Sequence, residues 1–185
     1  DGGLESVSDN ALMEKVKSGD VDKLGMLYDR HRKMLFGYFY RQTCAPEASE
    51  DLVQNVFYRI LKYSQQFRNE GKFSSWMYSI AHHVFLDHLK NQKKRREYSI
   101  DGLKQNIPEP SYHDDHSEQF ERRELLEKAM GQLSDEQREV LILSRYHDLK
   151  YKEIAEIVNC TEGTVKVRIF RALNHLRKIY TRLEK

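Results

Sequence analysis

The stretch YKEIAEIVNCTEGTVKVRIFRALNHLRK, Tyr151 to Lys178, decides how this chain is built. Apolar residues recur at helical spacing through Ile154, Ala155 and Val158, stop at Asn159 and Cys160, and resume after Thr161. The first run predicts a short amphipathic helix, and the small Ala155 lets another helix cross close by. Thr161 is a natural N-cap, with Glu162 in the first turn where the helix dipole favours a carboxylate. At about 100° per residue, Val165, Ile169, Ala172, Leu176 and Leu183 share one narrow sector, with Leu173 and Ile179 beside it, and form the buried side. Val167, Phe170, Arg171, Asn174 and Lys178 project from the far side. A Val and a Phe there cannot serve the same core. A cationic face with apolar members suits a major groove, where Arg and Lys reach guanine acceptors or phosphates and apolar groups meet thymine methyls. A short helix, a tight break and a basic second helix together read as a helix-turn-helix.

Working outward, every strong periodic signal is helical and no strand alternation persists. Ser8 and Asp9 precede a short helix that ends near Gly19, and a longer one is expected from about Asp22 to Gln42 with Leu24, Leu27, Tyr28, Leu35 and Phe39 in the core. Pro46 suits a helix start. In EDLVQNVFYRILK, Val53, Val56, Phe57, Ile60 and Leu61 make one apolar stripe. The polar loop SQQFRNEGK leads into FSSWMYSIAHHVFLDHLK, with Ser74 or Ser75 as cap and Trp76, Met77, Ile80, Ala81, Val84 and Leu89 facing inward. Beyond residue 90 the stripe fails, and Pro108 and Pro110 fall in an acidic stretch with Gly102, which reads as a linker. Leu125, Leu126, Ala129, Met130 and Leu133 then open a second helical region, where Ser134 and Gln137 have the spacing of a capping box. The expected fold is all-α: two small helical domains, 1–90 and 118–185, joined by a flexible linker, 91–117, the second domain carrying the helix-turn-helix.

Composition bounds the function. The chain has 185 residues, 32% of them charged, and suits one or two small soluble domains. No run approaches the ~20 apolar residues that span a bilayer, and no signal-peptide core is present, so the expected location is the cytoplasm without membrane insertion. The start, DGGLES, lacks Met and reads as a processed or vector-derived end. The two cysteines, Cys44 and Cys160, sit in separate halves without metal-ligand spacing. The net charge of +2 is small, but its distribution is not even. Lys166, Arg168, Arg171, Arg177, Lys178, Arg182 and Lys185 crowd the C-terminal end, and KKRR occupies Lys93 to Arg96, which suggests two footprints on a polyanion.

The phrases LSDEQREVLILSRY, YKEIAEIVNCTEGTVKVRIFRALNHLR, EDLVQNVFYRILK and FSSWMYSIAHHVFLDHLKNQKKR, in that relative arrangement, resemble the extracytoplasmic-function (ECF) sigma factors of bacteria, from about Asn10 to Lys178. Where the family has Pro before its EQRE-like segment this chain has Ser134, and where the IARN-like phrase carries Asn it has His83. The resemblance implies an alternative sigma factor with core RNA polymerase and promoter DNA as partners and an anti-sigma factor as a further one. It implies no catalytic residue, cofactor or metal. Its first domain would bind the clamp helices of the polymerase and melt the minus-ten element, and its second would read the minus-thirty-five element. A linker of this length extends to at most ~90 Å, and promoter elements two helical turns apart are separated by ~70 Å, so the tether suffices.

On that reading, Asp51, Leu52, Gln54, Asn55 and Tyr58 form the polymerase-docking edge. Thr164, Lys166, Val167, Phe170 and Arg171 lie nearest the bases of the minus-thirty-five element, and Arg177 and Lys178 nearest its phosphates. Melting DNA requires extruded bases to be captured, and capture uses aromatic faces, amide edges and cations. Phe67, Arg68, Asn69, Lys72, Ser75 and Tyr78 supply such groups in and after SQQFRNEGK, with Trp76 more at home in the core. The resemblance adds His83 to that pocket, and Asp87, one turn on, is placed to hydrogen-bond its imidazole.

Two other readings fit parts of the chain. A stand-alone helix-turn-helix repressor or activator would share the second domain and bind DNA without polymerase. An enzyme would draw on His82, His83, Asp87 and His88 or on YHDDH, Tyr112 to His116, but neither cluster matches a known metal pattern, and no Gly-rich phosphate loop or nucleophile motif appears.

Overall fold

The computed structural model describes residues 7–98 and 118–185. They form α1 (Asp9–Lys17), α2 (Asp22–Thr43), α3 (Pro46–Lys62), a 3₁₀ turn (Ser64–Gln66), α4 (Phe73–Tyr98), α5 (Glu118–Gly131), α6 (Asp135–Tyr146), α7 (Tyr151–Ile157) and α8 (Glu162–Leu183). Among these residues no strand forms, and no helix is long and apolar enough to cross a membrane. The DGGLES end, the remainder of the expected linker at 99–117 and the Tyr112–His116 cluster lie outside them.

The described residues fall into two compact units, those of Asp1–Gly37 with Glu47–Gly102 and those of Tyr38–Pro46 with Leu103–Lys185. This differs from the expected boundaries in two ways. The helix α4 runs on through Tyr98, where the linker was expected to begin at 91. Lys93, Lys94, Arg95 and Arg96 are good helix formers, and extending an anchored helix requires no new nucleus. Tyr38–Pro46, the end of α2 and the turn after it, counts with the second unit.

In the first unit the local signals act as expected at α1. The Ser8 hydroxyl accepts from the Ala11 N–H at 3.2 Å, and Gly19 closes the helix at φ 106°, with the Asp20 N–H on the Lys15 carbonyl. The α3 stripe buries Val53, Val56, Phe57 and Ile60, while Leu61 is left 40% exposed at its edge. The Phe57 ring meets Tyr28 of α2 edge-on at 5.0 Å. Phe67 and Phe73 are both 1% exposed, each worth roughly 1.5–3 kcal/mol of burial. The cap of α4 departs from expectation. The helix starts at Phe73 rather than after Ser74 or Ser75, and the Phe73 N–H donates to the side-chain Oδ1 of Asn10 in α1 at 2.8 Å.

In the second unit α5, α6 and α7 pack on α8. Arg138 is 8% exposed and donates to the carbonyls of Met130, Gly131 and Leu133 at 2.9, 2.9 and 2.7 Å. The guanidinium thereby satisfies the end of α5, which lacks intrahelical partners. The Ser134 hydroxyl caps α6 through the Gln137 N–H at 3.2 Å, while the Gln137 side chain meets His175 Nδ1 at 3.0 Å.

Candidate nucleic-acid interface

The helix α7 stops because Asn159 takes φ 53°, a left-handed conformation that Asn tolerates better than most residues. The Cys160 N–H donates to the Ala155 carbonyl and the Val158 N–H to the Ile154 carbonyl, both at 2.9 Å, so the last carbonyls of α7 are satisfied inside the turn. Thr161 Oγ1 accepts the Thr164 N–H at 3.1 Å, and α8 begins at once on a new heading.

Behind α8, Val165, Ile169, Ala172 and Ile179 are buried, whereas Leu173, expected beside them, is 37% exposed. In front, Val167 is 48% and Phe170 67% exposed. Lys166, Arg171, Asn174, Arg177 and Lys178 are exposed around them. Lys166 lies 3.4 Å from Glu162, but among the described residues Arg171, Arg177 and Lys178 form no ion pair. Thr164 is the least available of the expected contacts, half-buried with its hydroxyl 2.8 Å from that of Thr161. Uncompensated guanidinium and ammonium groups around an exposed ring and a Val provide for phosphates, base acceptors and thymine methyls on one face.

In the first unit, Asp51, Gln54 and Tyr58 lie exposed along α3, Tyr58 at 63%. Leu52 does not join them. It is 7% exposed, because its position on the helix turns it to the side of Ser49 and Val56, so it belongs to the core and not to a surface. Asn55 is half-buried and accepts from Arg59 Nε at 3.1 Å. Gln54 also lines an open groove of about 390 Å³ with Tyr28, Arg32, Lys33, Phe36, Glu50 and Val53.

The loop before α4 and α4 itself correct three expectations. Phe67 and Tyr78 are 1% and 4% exposed, so neither ring offers a face to a base. Phe67 packs instead against Trp76 at 5.3 Å, and burial pushes the Tyr78 hydroxyl pKa well above its ordinary value. Asp87 pairs with Arg59 at 2.7 Å rather than with His83. The exposed His83 ring turns Nδ1 to the Ser79 carbonyl at 2.7 Å. Arg68, Asn69 and Lys72 are exposed, and Ser75 and Trp76 are half-buried.

Sequence reasoning missed what holds this loop. Lys17 Nζ donates to the Phe67 carbonyl at 2.8 Å, and Gln65 Nε2 to the Lys17 carbonyl at 2.7 Å. Asn10 Nδ2 donates to both Asn69 Oδ1 and the Gly71 carbonyl at 2.7 Å. No local pattern marks Asn10 or Lys17, since their partners lie 48 to 63 residues away.

Comparison with known proteins gives two family matches, "Sigma-70 region 2" over residues 27–95 and "Sigma-70, region 4" over residues 123–176. The chain is 30% identical to the RNA polymerase sigma factor YlaC of Bacillus subtilis over 87% of this chain and 94% of that protein. It is also 30% identical to the ECF RNA polymerase sigma factor SigW of Bacillus subtilis, over 90% of this chain and 93% of that one. Among solved structures, CnrH in complex with the cytosolic domain of CnrY superposes with a TM-score of 0.67 at 19% identity, covering 92% of this chain and 96% of that one. The sigma factor RpoE of Bartonella quintana, in complex with the anti-sigma factor NepR, gives 0.67 at 22% identity over 85% of this chain and 96% of that one.

Proposed function

This chain belongs to the ECF RNA polymerase sigma factors of the sigma-70 family, and on that premise we propose how its two units divide the work of promoter-directed transcription initiation. The second unit reads the minus-thirty-five element through α8. The carrying observation is the combination on one helix face of Phe170 at 67% and Val167 at 48% exposure with Arg171 and Lys178, which have no acid partner among the described residues. Thr164, Lys166, Val167, Phe170 and Arg171 approach the bases, and Arg177 and Lys178 the phosphates.

The first unit docks core RNA polymerase along Asp51, Gln54, Asn55 and Tyr58. The groove lined by Phe36, Val53, Arg32, Lys33 and Glu50 extends that edge with apolar groups and charges of both signs. Unpaired minus-ten bases are held by Arg68, Asn69, Lys72 and Ser75, with His83 on the flank of α4 and the half-buried Trp76 as the ring within reach. An anti-sigma protein, such as the one solved with RpoE, belongs to the same proposal. The chain supplies recognition, and the polymerase supplies the nucleotide chemistry.

A gel-shift on promoter DNA with and without core polymerase tests this reading. Tight, specific binding should need the core, whereas a stand-alone repressor would shift the same DNA by itself. Replacing Asp51 and Gln54 with Ala should weaken core binding and leave thermal stability nearly unchanged. Unaltered core affinity would remove α3 from the docking surface.

A further inference from the structure

The Asn10 amide has only one possible orientation. The Phe73 N–H, which can only donate, lies 2.8 Å from one side-chain atom of Asn10, and the Gly71 carbonyl, which can only accept, lies 2.7 Å from the other. The first atom must therefore be Oδ1 and the second Nδ2. The second N–H of that same Nδ2 points to Asn69 at 2.7 Å, so Asn69 must present its oxygen to Asn10. Reversing Asn69 would set two N–H groups against each other. With its oxygen engaged, the exposed Asn69 keeps its amide nitrogen as the group with no partner among the described residues. Its neighbours Arg68 and Lys72 are also donors only.

Resting on the reading of this loop as the holder of unpaired minus-ten bases, we propose that Asn10 is a positioning residue for promoter specificity. It turns the Asn69 amide so that N–H donors meet the captured base, which selects a base with a carbonyl at pyrimidine C4 or purine C6, thymine or guanine, over one with an amine at that position, cytosine or adenine. The chemistry follows from the base edges. Thymine O4 and guanine O6 accept, whereas adenine N6 and cytosine N4 donate and would face a second donor. The same three hydrogen bonds join α1 to Asn69 and Gly71 of the loop and to Phe73, the first residue of α4, so the amide sits on a braced segment rather than on a free loop.

The experiment uses the full chain with core polymerase on a panel of promoters in which each minus-ten base is varied in turn. Asn69→Asp retains an oxygen for Asn10 and replaces the outward N–H donors with an acceptor. It should invert the preference at one position from carbonyl to amine bases, by about tenfold in relative transcription. Asn10→Ala frees the amide to turn and should flatten preference at that same position. Core affinity and preference at the minus-thirty-five element should hold in both variants. Glu70→Gln removes the adjacent exposed carboxylate and should invert nothing. Thermal unfolding accompanies each variant, and Asn69→Asp decides the matter even if Asn10→Ala unfolds, because it leaves the Phe73 cap in place. Unchanged base preference in Asn69→Asp, with transcription intact, overturns the inference while leaving the loop as the minus-ten site. Base preference that ignores every substitution in the loop removes the loop itself from minus-ten reading.

Discussion

Arg171 stands exposed on the front of α8 beside Phe170, with no acid against it among the described residues. If its guanidinium forks onto a guanine, Arg171→Ala should cost roughly 1–3 kcal/mol of holoenzyme–promoter affinity and relax preference at one base pair. A uniform loss across a minus-thirty-five panel would assign it to phosphate instead. His147 tests a different property, the acid limit of the second unit. Burial pushes its pKa down to about 4. The unfolded ring, with a pKa near 6.5, therefore takes up its proton first as pH falls. The stability it contributes is complete above about pH 6.5 and is lost progressively toward pH 4, on the order of 3 kcal/mol in all. His147→Gln should lose less stability than the parent between pH 7 and 4.5 in thermal unfolding, and parallel losses would contradict the assignment. At this scale residue type was legible and exposure was not. Phe67 and Tyr78 have the chemistry of base-stacking residues, but both rings are buried. An aromatic beside a polar loop serves a core or a ligand equally well in one dimension.

Among the elements, the break between α7 and α8 and its Thr161 cap were legible, because both signals are local. Asn159 supplies the left-handed residue and Thr161 the cap, within three positions of each other. Thr161→Ala should cost about 0.5–2 kcal/mol, and Asn159→Val about 1–2 kcal/mol, while Asn159→Gly should be close to neutral. Urea unfolding gives these values, and a gel-shift with holoenzyme should show minus-thirty-five affinity falling in the same order. A Val at 159 that leaves both unchanged would mean the turn does not aim α8. The start of α4 could not be read in this way. Ser74 and Ser75 offered caps by composition, but Asn10 reaches the Phe73 N–H from 63 residues away. Nor does an apolar stripe mark where a helix ends, as α4 persists through exposed lysines and arginines to Tyr98.

For the whole molecule, two cationic surfaces belong to two units, the tail of α4 in the first and the front of α8 in the second. Changing Lys93, Lys94, Arg95 and Arg96 together to Gln should reduce the slope of log affinity against log salt for holoenzyme–promoter binding by up to about 3–4 if each meets a phosphate. A slope that does not move would leave α8 as the chain's main electrostatic footprint. The sequence by itself determined the all-helical class, the order of the helices, the helix-turn-helix and the family. Periodicity and capping act over about four residues, and each helix carries its own record of both. Tertiary structure alone decided which aromatics are buried, that Asp87 answers Arg59, and that Asn10 sets the Asn69 amide. The last two outcomes depend on groups that lie 28 to 63 residues apart and meet only after the helices pack, a meeting that no local pattern encodes.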